Sequence, residues 1–170
     1  MNEYENLKLD HQLCFALYAA THAVTRAYYD GLEQVGLTYT QYLVMMVLWE
    51  KDSVSVGSIA QRLDLDSATL TPMLKRLEVA GFITRKRNRE DERVVEVSLT
   101  KMGTELQDQI AKVQKGVECQ TGLSQDDFIH LRSSLKKLVE SMATSREKKP
   151  PHKFCLNLHK KTSNFWFFYH

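Results

Sequence analysis

The run Ser55-Val-Gly-Ser-Ile-Ala-Gln-Arg-Leu63, then Ser67-Ala-Thr-Leu-Thr-Pro-Met-Leu-Lys-Arg-Leu-Glu78, decides the fold together with Phe82-Ile-Thr-Arg-Lys-Arg87 and Arg93-Val-Val-Glu-Val-Ser-Leu99. Ser55 precedes the first piece as an N-cap, and Asp66 or Ser67 can cap the second. Gly81 supplies the stop after Glu78. Pro72 reads as close enough to the first turn to be tolerated. Two short helices joined by Leu63-Asp-Leu-Asp66, the second rich in Ser/Thr and then Lys/Arg, form a helix-turn-helix pattern. The period then changes from helical to alternating, so 82–87 and 93–99 read as two strands with a polar hairpin loop at 88–92. A hairpin directly after a recognition helix is a wing.

Helices flank this core on both sides. From about Leu9 to Leu32, Leu13, Leu17, Ala20, Val24 and Ala27 recur at helical spacing, which predicts one buried stripe ended by Gly31 and Gly36. About Thr40 to Lys51 is apolar almost all round and belongs in a core or at a dimer interface. After Thr100, Met102, Leu106, Ile110 and Val113 lead towards Cys119. Gly122 and Ser124 separate a last helix carrying Phe128, Leu131, Leu135, Leu138 and Val139. The expected fold is mainly α, a winged helix-turn-helix with a small β-hairpin wing.

The 170 residues suit one domain, and 43% hydrophobic with 26% charged residues is a globular composition. No apolar run reaches the ~18 residues of a membrane span. The start Met-Asn-Glu-Tyr-Glu carries no secretory pattern, so the cytoplasm is expected. Three widely spaced cysteines without CxxC spacing make neither a disulfide framework nor a zinc site. His11 and His22 read as polar interface residues rather than ligands, and no cofactor is expected. The net charge of +2 is uneven: six cations against Glu147 in 145–170 leave 1–144 near −3. Nucleic-acid binding therefore depends on placement, and the basic residues concentrate between Lys75 and Arg93. The tail, with Lys-Lys-Pro-Pro151, Cys155 and Asn164-Phe-Trp-Phe-Phe-Tyr169, has no packing logic. Disorder, an artefactual extension and a partner-contacting peptide all remain open for it.

The leading end of the second short helix presents Ser67, Ala68, Thr69, Thr71 and Pro72, small groups that can approach base edges. Lys75 and Arg76 lie one turn on, placed for phosphates. Arg89 and Arg93 in the wing suit phosphates or a narrow minor groove. The plain alternative for Lys75, Arg76 and 85–87 is a solvated charged face; the order helix, turn, helix, hairpin favours DNA.

The stretch Asp91-Glu-Arg93-Val-Val-Glu-Val-Ser-Leu-Thr-Lys-Met-Gly103 resembles the wing signature of the MarR family of transcription regulators, over about residues 5–144. The resemblance implies an obligate homodimer binding a pseudo-palindromic double-stranded operator, and no enzyme. It implies dimerisation helices at about 9–34 and 100–144, and a DNA-binding part at about 40–99. It also implies that Asp91 braces the wing and Arg93 enters the minor groove.

Within that family, Leu9-Asp-His-Gln-Leu-Cys-Phe-Ala-Leu-Tyr18 resembles the organic-hydroperoxide-sensing repressors. The resemblance makes Cys14 the oxidised thiol, with Tyr28, Tyr39 and the neighbouring Tyr18 supporting it, and Cys119 its intersubunit disulfide partner. Helix geometry adds an independent point. Fourteen residues put Cys14 and Tyr28 within about 40° on the helix but about 21 Å apart along it. An antiparallel partner helix in a symmetric dimer could bring another chain's Tyr28 to Cys14. Tyrosine hydroxyls donating to sulfur favour the reactive thiolate. Without the resemblance, Cys14 reads as an inert core residue. A repressor released by a bound phenolic ligand is the competing function. A thiol peroxidase lacks both a supported peroxidatic loop and a CxxC recycling pair.

Overall fold

A computed structural model describes residues 4–89 and 91–147 of the chain. The tail reading lies outside the described residues beyond 147. The main elements are α1 (Leu13–Glu33), α2 (Tyr39–Glu50), β1 (Val54–Ser55), α3 (Val56–Leu63), α4 (Ser67–Val79), β2 (Ile83–Arg87), β3 (Val95–Leu99), α5 (Lys101–Gln120) and α6 (Gln125–Glu147). The winged helix-turn-helix is present. The chain divides into two units, Met1–Gly122 and Leu123–His170, so α6 stands in a unit of its own.

The first helix begins later than its apolar pattern. Glu5–Leu7 and Leu9–His11 are single 3-10 turns, and Gln12 is extended. The Gln12 side-chain amide donates to the carbonyls of Asn6 and Lys8, a local alternative to helix. At the other end the helix runs through Gly31 to Glu33. Gly31 is a packing position, not a stop: a Cβ there would sit 2.6 Å from Cγ1 of Val113 on α5. Gly36 is the break, at φ +73°. The predicted buried stripe is also corrected. Leu13 is 63% exposed and Val24 38%, while only the last third of α1 reaches the core through Ala27, Tyr28 and Leu32.

The core centres on α2, whose Val44, Met45 and Leu48 are fully buried. That explains its lack of a polar face. Thr38 and Gln41 close a reciprocal capping box at its start. Around it pack Ile59 of α3, Leu74 and Leu77 of α4, and Ile83 and Val97 of the sheet. The Ser55 hydroxyl accepts from Ser58 N–H to begin α3, and Asp66 accepts from Thr69 N–H to begin α4. Pro72 is the sixth residue of α4, beyond the first turn where it was expected. It therefore removes one backbone donor from the helix interior. The sheet is antiparallel in order β1-β3-β2, with Val54 opposite Val97 and Ile83 opposite Leu99. The two-residue β1 was too short to show alternation in the sequence.

The Leu-Thr-x-x-Gly part of the signature has a steric cause. The Thr100 hydroxyl caps α5 by accepting from Gly103 N–H and donates to the Gly81 carbonyl at 2.6 Å. Trp49 Nε1 donates to the Gly103 carbonyl at 2.9 Å. A Cβ on Gly103 would lie 2.0 Å from the Phe82 carbonyl oxygen, so α5 can start here only on a glycine. Gly103→Ala should therefore destabilise the protein by about 3 kcal/mol or more in urea unfolding, well beyond an ordinary helix Gly→Ala change.

Candidate functional site

One face of α4 holds it to the core through Leu70, Leu74 and Leu77, each at most 1% exposed. The opposite face presents Ser67, Ala68, Thr69, Thr71, Pro72, Lys75 and Arg76, all exposed. Two of the hydroxyls spend their protons locally. Thr69 donates to Asp66 Oδ2 at 2.9 Å, and Thr71 to the Ser67 carbonyl at 2.6 Å. Towards a ligand both are acceptors. These contacts, led by the Thr69 backbone N–H, hold the Asp66 carboxyl below its usual value and keep the cap charged.

The wing is braced by its own backbone. Asn88 N–H donates to the Val94 carbonyl, and the Asp91 carboxylate accepts from the backbone N–H of Arg93 at 3.0 Å. The contact between Asp91 and Arg93 is thus to the main chain, which leaves the guanidinium at the exposed surface. Arg89 is exposed beside it, and Lys86 and Arg87 extend the basic edge. Arg85 departs from the expected basic cluster. Its guanidinium grips Glu78 Oε2 at 2.6 and 2.9 Å, and its N–H reaches Oε1. That pairing ties α4 to β2 and holds the Glu78 carboxyl below its ordinary range. A groove of about 450 Å³ runs between these parts, lined by Ser55, Gly57, Ser67, Thr71 and Arg93 among others. The start of α3 was not singled out from sequence, although its Ser55 cap was the available signal.

Cys14 is the second residue of α1 and Cys119 the penultimate residue of α5; both are exposed free thiols. Cys14 is therefore not a core cysteine of this protomer. Leu13 beside it is exposed, as is Tyr18, whose ring stacks on His22 with centroids 4.3 Å apart. Among the described residues no group of three His, Cys, Asp or Glu is placed to hold a metal.

Tyr28 and Tyr39 come together, with ring centroids 5.6 Å apart. A third ring, Tyr42, joins them at 5.2 Å from Tyr28 and 5.9 Å from Tyr39. The sequence reading missed Tyr42, although its spacing of three from Tyr39 puts both on one face of α2. Tyr39 also borders a cavity of about 310 Å³ with Thr25, Tyr29, Leu32 and Glu33.

Because α1 is unbroken, Cys14 stays about 21 Å along the axis from Tyr28 of its own chain. A similar argument separates the cysteines. Gly31 and Val113 touch, which fixes where α1 meets α5. Cys14 lies 17 helical residues from that contact and Cys119 only six, so their Cα atoms cannot approach closer than about 9 Å. A disulfide needs about 7 Å or less. An intrachain Cys14–Cys119 bond is excluded while both helices persist.

The sequence family described as transcriptional regulator SarA/Rot matches residues 26–110. The organic hydroperoxide resistance transcriptional regulator of Bacillus subtilis (strain 168) is 41% identical over 141 residues, which span 83% of this chain and 96% of the relative. The chain belongs to the SarA/Rot group of MarR-type winged-helix transcriptional regulators. Among solved structures, reduced AbfR bound to DNA superposes with a TM-score of 0.67 at 36% identity, covering 82% of this chain and 97% of AbfR. AbfR with its disulfide formed gives a TM-score of 0.57 at 37% identity, covering 81% and 96%. MarR itself shares the fold, with a TM-score of 0.69 at 22% identity, covering 81% and 95%. As a member of this family the chain is a regulator and not an enzyme. No helix among the described residues is long and apolar enough to cross a membrane.

The tyrosine cluster has a measurable signature. Burial first, then the neighbouring Tyr28 hydroxyl, hold the Tyr42 phenol well above its ordinary value of 10.0, and burial does the same for Tyr39. The unfolded chain ionises these phenols near pH 10 while the folded chain keeps their protons. Their stabilisation is complete below that pH and is lost as pH rises towards the folded values. Urea unfolding should show stability falling above about pH 10, with a shallower fall in Tyr42→Phe.

Proposed function

We propose that the protein is a homodimeric repressor that binds a pseudo-palindromic DNA operator and leaves it when organic hydroperoxides oxidise Cys14. The observation that carries the sensor is the separation along α1. The exposed thiol and the tyrosine cluster that would support it stand about 21 Å apart on one unbroken helix. A second chain, with its α1 antiparallel to the first, would bring them together. The exposed apolar residues Leu9, Leu13, Tyr18 and Val24 give that second chain a surface to cover. The Bacillus subtilis relative, named for organic hydroperoxide resistance, and AbfR, solved on DNA and with a disulfide, support the same reading.

In this mechanism the Cys14 thiolate attacks one peroxide oxygen. An S–O bond forms as the O–O bond breaks, and the departing alkoxide takes a proton to become an alcohol. Cysteine is oxidised to sulfenic acid and the hydroperoxide is reduced. The thiol of Cys119 on the other chain then attacks the sulfenic sulfur, forming the disulfide and releasing water. Tyr28 and Tyr39 of one chain, with Tyr18 beside the cysteine, would donate to the thiolate. The apolar residues around Cys14 suit a greasy hydroperoxide.

Bond formation has a mechanical route to DNA. Cys119 ends the rigid α5, whose other end is fastened to the wing base through Thr100, Gly81, Phe82 and Trp49. On DNA, Ser67, Ala68, Thr69, Thr71 and Pro72 meet base edges, and Lys75 and Arg76 meet the backbone. The wing enters the minor groove with Arg89 and Arg93, held by Asp91. The cavity beside Tyr39 favours one alternative, release by a bound phenolic ligand.

Cys14→Ser separates the two. It should bind operator normally and fail to release it on addition of cumene hydroperoxide; release equal to that of the unaltered protein would leave only the ligand reading. Cys119→Ser should still form the sulfenic acid but give no cross-linked dimer on a non-reducing gel. Arg93→Ala should weaken operator binding by about tenfold, measured by fluorescence anisotropy, without changing the rate of Cys14 oxidation.

A further inference from the structure

The ion pair between Glu78 and Arg85 joins α4 to the wing, and the DNA contacts proposed above give it no task. Glu78 lies in the last turn of α4 and Arg85 in the middle of β2, on either side of a turn formed by Ala80, Gly81 and Phe82. Gly81 in that turn has φ +81°, so helix and strand meet at the residue with the widest conformational freedom. We propose that Glu78 and Arg85 are positioning residues for operator recognition, a clamp that holds the recognition helix to the wing strand and sets the base-facing end of α4 against Arg93. This rests on the reading that α4 and the wing contact DNA.

The carboxylate holds main chain and side chain together. Its Oε1 accepts from the Arg85 backbone N–H at 3.1 Å, and its Oε2 accepts from Nε at 2.9 Å and from a terminal guanidinium nitrogen at 2.6 Å. β2 is an edge strand, next to β3 alone, and this N–H is spent on α4 rather than on the ladder. A guanidinium fork held as well through its own backbone fixes direction and not only distance. The two side chains are 26% and 35% exposed, whereas Arg62 and Glu50, joined by one hydrogen bond, are each at least 60% exposed. The clamp also stands at the groove, which Arg85 lines together with Ser67 and Thr71 of α4 and Arg93 of the wing. With two of its nitrogens on Glu78, the Arg85 guanidinium is committed to that carboxylate and not to a phosphate.

The test uses the full-length reduced protein carrying Glu78→Gln, Arg85→Ala, Arg85→Lys, or Glu78→Gln with Arg85→Ala. Fluorescence anisotropy over a range of salt measures binding to an operator duplex selected from random sequence by the unaltered protein, and to a mixed-sequence duplex of equal length. Each single variant should bind the operator about fivefold more weakly, with the slope of the salt dependence unchanged. Lysine should fail as alanine does, since it keeps the charge and loses the fork. Glu78→Gln and Arg85→Lys, which remove no cation, should bind the mixed-sequence duplex no more weakly than the unaltered protein, because backbone attraction needs no fixed spacing. The double variant should be no weaker than either single one, because both act through one contact.

An Arg85 that binds phosphate gives the opposite sign. Glu78→Gln would then free it and tighten operator binding, Arg85→Lys would stay near normal, and Arg85→Ala would lower the salt slope by about 0.9. Equal losses on both duplexes would mean that the pair serves only the fold, and unchanged operator affinity in Glu78→Gln would mean that it does not act on recognition. Each of these results overturns the inference. Arg93→Ala in the same assay tests the reading beneath it: normal operator affinity there would overturn that reading and the inference with it, whereas weakened binding keeps the reading whatever the clamp variants show.

Discussion

A rigid helix fixes the distance between the groups it carries, and the account of this regulator depends on that constraint in α1. The helix runs from Leu13 to Glu33 without a break, so the thiol at one end never meets the tyrosines at the other. The contact between Gly31 and Val113 then sets α5 against α1 and keeps Cys119 from Cys14 of its own chain. On the proposed reading, one protomer carries the sensor's groups but cannot bring them together, and dimerisation becomes part of the chemistry.

The same constraint gives meaning to the surface. Leu13, Tyr18 and Val24 in the first two-thirds of α1 are exposed, whereas Tyr28 and Leu32 at its end are buried. One helix thus belongs to the core at its C-terminal end and offers a greasy face at its N-terminal end. Cys14 lies on that second part, where the proposed change of bonding would act on the association of chains. The wing base, held by Thr100 and Gly103 against Phe82, receives the other end of the α5 lever.

Much of this was legible in the residues. Caps at Ser55 and Asp66 marked helix starts because their side chains satisfy the first backbone donors. Alternation revealed the two wing strands, whereas β1 with two residues had no period to read. Periodicity identified the apolar face of α1 but not what covers it, since a dimer face and a core face carry the same pattern. Gly31 looked like a stop because a sequence does not show the valine packed against it. Arg85 looked like part of a DNA-facing cluster because its claim on Glu78 is tertiary. Within the candidate site, Tyr28 and Tyr39 followed from resemblance, while Tyr42 needed the packed rings to be seen.

Mixed dimers test the central claim most directly. One heterodimer pairs a chain carrying Tyr28→Phe with a chain carrying Cys14→Ser, so its single Cys14 faces the intact Tyr28 across the interface. The other pairs an unaltered chain with one carrying both substitutions, so its single Cys14 faces phenylalanine. The account predicts rapid oxidation of Cys14 by cumene hydroperoxide in the first and slow oxidation in the second. Slow oxidation in the first and rapid in the second would place the supporting tyrosine on the same chain as the thiol and contradict the account.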